Sequence, residues 1–182
     1  HTNWVRAIAV AAGGRRFASA SYDGSVRVWA RESPAQPPLV LADNGADLYG
    51  LAICPAGGWL ACGGVDKNVR VYDLHVTPAS VRVLEGHTKA VQSLALRGDF
   101  VFSASEDHTV RVWSRTSGDA VQVLRGHGGS VTAVAVSSAT GRLISGSSDT
   151  TLCVWDGLVE PEAPTKVNPD EAARDGTAAS PS

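Results

Sequence analysis

Ser103-Ala-Ser-Glu-Asp-His-Thr-Val-Arg-Val-Trp113 reads as the end of one strand, a tight turn and the whole of the next strand. Alternating apolar residues mark the strand, and the short polar Asp-His-Thr group marks the turn, because an aspartate side chain can accept hydrogen bonds from a turning backbone. The pattern recurs. Ser25-Val-Arg-Val-Trp29, Asn68-Val-Arg-Val-Tyr72, Thr109-Val-Arg-Val-Trp113 and Thr151-Leu-Cys-Val-Trp155 are four copies of one unit. Their final aromatics stand 43, 41 and 42 residues apart, and Asp23, Asp66, Asp107 and Asp149 each precede the aromatic by six. A period of about 40 to 45 residues is the length of one four-stranded propeller blade.

Working outward from the quoted stretch, Val91, Leu94 and Leu96, then Phe100 and Phe102, then Val110 and Val112 alternate as strands require. Each unit thus holds strands a, b and c. A fourth strand, d, is expected at Leu39 to Leu41, Ser80 to Leu84 and Ala120 to Leu124, and no helix of useful length is expected.

Gly86-His87 and Gly126-His127, each followed by Ser-x-Ser-x-Asp and a closing Trp, make residues 1 to 157 resemble the WD-repeat family. The resemblance implies an all-β fold, a β-propeller of four-stranded antiparallel blades. We divide it into blades 1–43, 44–85, 86–125 and 126–157, followed by a disordered tail at 158–182, where Pro, Ala, Glu, Asp and Ser prevail without periodicity. The second unit departs from the pattern: Asn44 stands for the histidine, Cys62 for the serine and Tyr72 for the tryptophan, so Asp66 alone of its polar set is intact.

The last blade is expected to lack its own fourth strand, since Pro161, Pro164 and Pro169 cannot donate to a ladder. The ring is expected to be incomplete, a C-terminal part of a longer propeller, which the family commonly builds with seven blades. The start at His1 and the absence of methionine carry the same expectation. Four blades alone would leave two broad apolar faces open.

His87, Ser103 and Asp107 are the residue types of a nucleophile, its base and an orienting acid, and they recur as His1, Ser19, Asp23 and as His127, Ser145, Asp149. An enzyme needs one activated nucleophile in one accessible cleft, whereas a structural device is needed once per blade. We therefore expect no enzyme. In the resembling family these residues and the indoles of Trp29, Trp113 and Trp155 form a buried structural network, and Asp66 is what remains of it in the second blade. Arg27, Arg70 and Arg111, in the middle of strand c, are read as stems packed along the blade with heads reaching the edge rather than as an anion-binding column. Trp59 is read as core packing in place of the Phe or Leu that starts strand b elsewhere, rather than as a ligand cage.

With 43% hydrophobic residues, 19% charged residues and a net charge of -2, the 182-residue chain has a normal soluble composition and no basic stripe for nucleic acid or anionic membrane. No apolar run reaches the ~20 residues that span a bilayer. Cys54, Cys62 and Cys153 form an odd set without a CxxC pair, so reduced thiols are expected rather than disulfides or a metal site. No cofactor and no small-molecule substrate are expected, and the setting is read as intracellular, in cytoplasm or nucleus.

The resemblance places partner binding on the rim that carries the d-a and b-c loops. Carried over repeat by repeat, this gives Thr2, Trp4 and Tyr22, then Asp47 and Val65, then Thr88 and Glu106, then Ser130 and Ser148. Trp4 has two readings, a hot spot shared with Tyr22 or a residue packed on a neighbouring blade. The expected role is a scaffold or substrate-recognition module that binds other proteins or peptides within a multi-protein complex. The alternative is a targeting propeller of a larger enzyme, such as a ubiquitin ligase or kinase. A docking motif in the Pro-rich stretch Arg31 to Pro38 or in the tail is a further option.

Overall fold

The structure is a computed structural model and describes residues 1–32, 36–41, 45–76 and 78–156. Asn44, the boundary between the first two blades, the middle of the Pro-rich stretch and the whole 158–182 tail lie outside the described residues.

Fifteen strands are described, all in antiparallel sheets that follow sequence order. The first blade holds β1 (Val5–Val10), β2 (Arg16–Ser21), β3 (Val26–Ala30) and β4 (Leu39–Leu41). The second holds β5 (Leu48–Ile53), β6 (Trp59–Gly64), β7 (Val69–Asp73) and β8 (Ser80–Leu84). β9 (Val91–Arg97), β10 (Phe100–Ser105), β11 (Thr109–Ser114) and β12 (Ala120–Arg125) form the third. The fourth has three strands among the described residues, β13 (Val131–Val136), β14 (Leu143–Ser147) and β15 (Leu152–Trp155). One short 3-10 turn at Ala12–Gly14 is the whole helical content of the described residues.

Cross-strand register sorts the side chains of each blade onto two faces. In the third blade Leu94, Ser103, Arg111 and Val123 share one face, with Leu96, Val101 and Trp113, whereas Ala95, Phe102, Val112 and Gln122 share the other. Neighbouring blades stack face to face. Ala18, Ala20, Val26 and Leu41 meet Leu48, Leu51, Leu60 and Tyr72 at the first junction. Ala61, Val69 and Val71 meet Leu94, Val101 and Trp113 at the second, and Phe102, Val110 and Val112 meet Val134 and Leu143 at the third. Each fully buried Val or Leu contributes about 1.5 to 3 kcal/mol, so these junctions hold the blades together.

The middle blades are covered on both sides, and β6 is buried at all six positions. Alternation there separates one neighbour from the other rather than core from water. The end blades show the contrast. Ile8 and Val10 on the outer face of the first blade are 67% and 60% exposed, and Leu152 and Val154 on the outer face of the fourth are 75% and 58% exposed. The two end sheets do not close on each other.

Register places Trp59 as the core residue at the start of strand b, in the position that Phe100 holds in the third blade. Phe17, Leu60, Val101 and Leu143 are the equivalent residues near the start of strand b, whereas Trp59 matches Arg16, Phe100 and Arg142 one position earlier. Trp59 is buried in the second junction, at its lower edge.

Candidate functional site

The polar sets assemble as three copies of one network. His87 joins Asp107 through Nδ1 at 2.7 Å and Ser103 through Nε2 at 2.7 Å, and the Trp113 indole donates to the Ser103 hydroxyl at 2.8 Å. His127, Asp149, Ser145 and Trp155 repeat this at 3.0, 2.9 and 2.9 Å. His1, Asp23, Ser19 and Trp29 repeat it at 2.9, 2.8 and 3.2 Å. The direction of each chain follows from the groups. An indole can only donate and an ionised carboxylate can only accept, so the imidazole carries its proton on Nδ1 and the serine O–H points to Nε2.

The same order of contacts operates in a hydrolytic triad, but the surroundings differ. Ser103 is fully buried between strands, and its oxygen is already taken by the tryptophan N–H. Each aspartate also organises its turn. Asp107 Oδ1 accepts from the Thr109 N–H and hydroxyl, and its Oδ2 accepts from the Thr88 N–H as well as His87. The network therefore ties strands b and c and the loop before strand a into one unit. The glycine of the Gly-His pair has a steric reason, since a Cβ on Gly86 would meet Arg111 Nη1 at 2.6 Å and the Trp113 ring at 3.2 Å.

These bonds shift the titrations. Burial works to raise the Asp107 carboxyl, but the hydroxyl and N–H donors from Thr109, His87 and Thr88 outweigh it and hold it at about 2. Asp23 is likewise held at about 2 against burial by Ser25 and the Thr2 N–H. Asp149 lies well below the usual carboxylate range, chiefly through the Thr151 hydroxyl. Burial pushes His87 below its ordinary 6.5 despite the Asp107 partner.

The second blade departs from its sequence reading. Asp66 is paired with Arg70, four residues on, so a guanidinium from strand c stands where the other blades use histidine. Arg70 is buried, which corrects the expectation that its head reaches the blade edge. Arg111 instead lies over Trp113, with Cζ 5.6 Å from a ring centroid.

The rim positions gather where the b-c turns meet the d-a loops. One backbone bond recurs in every blade: Tyr22 N–H to Trp4 O, Val65 to Asp47, Glu106 to Ala90 and Ser148 to Ser130, all at 2.9 or 3.0 Å. In this register the third-blade match to Trp4 is Ala90, while Thr88 matches Thr2, each donating its N–H to the network aspartate. Trp4 stands 76% exposed and stacks on Tyr22 at 6.1 Å between centroids; Tyr22 in turn meets Tyr49 edge-on at 5.5 Å. Val65, Thr88 and Ser148 are exposed, and Asp47, Glu106 and Ser130 are half-buried. Gln92 donates to Glu106 at 2.7 Å.

Tyr49 was not among the sequence-derived rim positions. Strand a carries one extra residue in every blade, Arg6, Tyr49, Gln92 and Thr132, and a bulge re-aims its side chain out of strict alternation. Alternation alone hides such a residue. Its recurrence two residues after Trp4, Asp47, Ala90 and Ser130 is the signal that could have found it. Burial, then Tyr22, Asp47 and Glu106, raise the Tyr49 hydroxyl titration.

Cys54 and Cys62 are buried, Cys153 is half-buried, and none of the three forms a disulfide among the described residues. Among the described residues no group of three His, Cys, Asp or Glu side chains could hold a metal ion, and no helix is long and apolar enough to cross a membrane.

Residues 1–30, 36–73, 78–114 and 118–156 match the WD domain, G-beta repeat family. Among curated relatives, the chain is 33% identical over 164 residues to the guanine nucleotide-binding protein subunit beta of Nicotiana tabacum, covering 81% of this chain and 43% of that protein. It is 30% identical over 146 residues to the DENN domain and WD repeat-containing protein SCD1 of Arabidopsis thaliana, covering 79% of this chain and 12% of that protein. It is 38% identical over 105 residues to pre-mRNA-processing factor 19 of Mus musculus, covering 56% of this chain and 21% of that protein. The chain thus spans less than half the length of each of these relatives.

Proposed function

We propose, from the premise that this chain belongs to the WD domain, G-beta repeat family, that it works as a scaffold or substrate-recognition module inside a multi-protein complex. Proteins of this family serve generally as interaction modules. The observation that carries the finer reading is the aromatic tier on the upper rim. Trp4 exposes most of its surface yet is held in place by Tyr22, which leans on Tyr49 of the next blade. A rigid, exposed aromatic offers much area at little entropic cost, which is the profile of a binding anchor. Asp47, Val65, Thr88, Glu106, Ser130 and Ser148 extend the same docking surface for a protein or peptide. The buried serines of the three networks support a chain without catalysis of its own, and cysteines outside any disulfide support an intracellular setting, cytoplasmic or nuclear.

The test is site-specific photo-crosslinking from Tyr22 and Val65 in cells, with Glu32 on the opposite rim as control. Crosslinks to a defined set of proteins that vanish with Trp4→Ala support the reading. Equal crosslinking from Glu32, or none from the rim, sinks it.

A second reading, in which the blades target a larger chain that carries chemistry elsewhere, is favoured by one observation. A relative at 30% identity bears a name that joins WD repeats to a DENN domain. Full-length mass determination of the native protein and its co-purified activity would separate the two.

A further inference from the structure

On the underside, away from the aromatic rim, a cavity of about 470 Å³ opens between the second and third blades, lined by Trp59, Val71, Asp73, Arg82, Arg115 and Thr116. Because the blades repeat, the same slot can be compared along the chain. Trp59 pairs with Asp73 and Val71 with Arg82, and Arg115 closes the slot from two residues after Trp113. Between the first and second blades these places hold Arg16, Ala30, Val28, Leu39 and Leu74. In the third blade they hold Phe100, Ser114, Val112 and Gln122, and the closing position of the fourth lies outside the described residues. What the scaffold needs is present in every blade. A tryptophan, an aspartate and two arginines at one slot are therefore an addition that the fold does not require.

The groups are preorganised. Arg115 donates Nε and Nη2 to Asp99 at 3.0 and 2.6 Å, and its Cζ lies 5.2 Å from the Trp59 ring centroid, so its plane is fixed and its charge answered. Arg82 donates Nη1 to the Ser117 carbonyl at 3.0 Å, which leaves the side fork of Nε and Nη2 without a partner among the described residues. Asp73 accepts the His75 N–H at 2.9 Å and forms no ion pair with Arg82, although both line the cavity. An open guanidinium fork fits a carboxylate in two parallel bonds, and a nearby carboxylate acceptor fits an N–H donor. An extended acidic peptide supplies both, a side-chain carboxylate and backbone N–H donors. We infer that this slot is a second, separate recognition site, and that it takes an extended acidic segment of a partner protein, with an Asp or Glu side chain in the Arg82 fork.

The experiment selects a displayed library of random octapeptides on the full chain and measures the recovered peptides by titration. Enrichment of Asp or Glu at one position is expected. Arg82→Ala should weaken those peptides about tenfold, as should exchange of the peptide's acid for its amide. Trp4→Ala should leave them unchanged, which separates this site from the upper rim. Arg82 is exposed, so the thermal midpoint of Arg82→Ala serves as the folding control. Recovery of no acid-bearing peptide, or equal binding by Arg82→Ala, overturns the inference. Displacement of the peptides by inorganic phosphate at far lower concentration than acetate overturns the carboxylate in favour of a phosphoryl group.

Discussion

Arg70 answers Asp66 inside the second blade, with side chains only 10% and 13% exposed, where each of the other three blades brings a histidine to its aspartate. The exchange keeps a cation-capable donor beside the turn but takes it from strand c instead of from the loop before strand a.

From the sequence, the second blade is the degraded one, and loss of its aspartate should cost less than loss of Asp107. The buried pair reverses that expectation, because Asp66→Ala would leave Arg70 buried without its carboxylate. Removing one partner of a buried pair costs about 3 kcal/mol or more. Asp66→Ala is therefore expected to match or exceed Asp107→Ala in destabilisation, with both losing about 2 to 4 kcal/mol. Urea denaturation of the two variants decides it; a loss under about 1 kcal/mol at Asp66 would contradict the pairing.

Acid should weaken the fold in two steps. His87 titrates below its ordinary 6.5 when folded, so the unfolded chain takes the proton first and stability falls as pH drops below 6.5. Asp23 and Asp107 are held at about 2, so their contribution is complete above the ordinary 3.8 and is lost between there and about 2. Thermal melts from pH 8 to 2 should show both falls, and His87→Gln should remove the upper one.

The b-c turns need a left-handed residue after the aspartate. Gly24 fills it in the first blade at φ 75, whereas Lys67, His108 and Thr150 fill it at 73, 69 and 72. A β-branched residue is the most strained there. Thr150→Gly is expected to raise stability by about 1 kcal/mol, a gain in midpoint of a few degrees. Gly24→Ala should do the opposite. Its Cβ would stand 2.6 Å from the Gly45 Cα, against the backbone of the next blade.

Trp4→Ala is expected to leave the melting midpoint nearly unchanged, because the side chain is 76% exposed, while weakening the rim's partner by about tenfold or more. Tyr49→Ala should weaken the same partner less, through loss of support for Tyr22. A large drop in midpoint for Trp4→Ala would mark the residue as structural instead.

Ile8 and Val10 at one end, and Ile144, Leu152 and Val154 at the other, present two apolar faces. As an isolated 182-residue chain the molecule is expected to self-associate, with sedimentation that shifts to larger species as concentration rises. Leu152→Glu should reduce that shift. A concentration-independent monomer would show that these faces are tolerated in water.

The sequence by itself determined the repeat, the strand order within each blade and the membership of three of the four polar networks. These depend on local chemistry, period-two alternation and turn residues at fixed offsets, and Ser103, Asp107 and Trp113 can be read from eleven consecutive letters. What the tertiary structure alone decided were the outcomes that depend on register and on stacking between blades. The extra residue in strand a turns Tyr49 toward Tyr22, and stacking against the third blade buries Trp59 where the equivalent Arg16 and Arg142 stay exposed. Arg70 reads as a surface stem in a Val-Arg-Val strand, but the first blade covers it, and only burial obliges its charge to find Asp66. A strand's pattern says which side chains share a face; it does not say which other blade, or which open water, that face will meet.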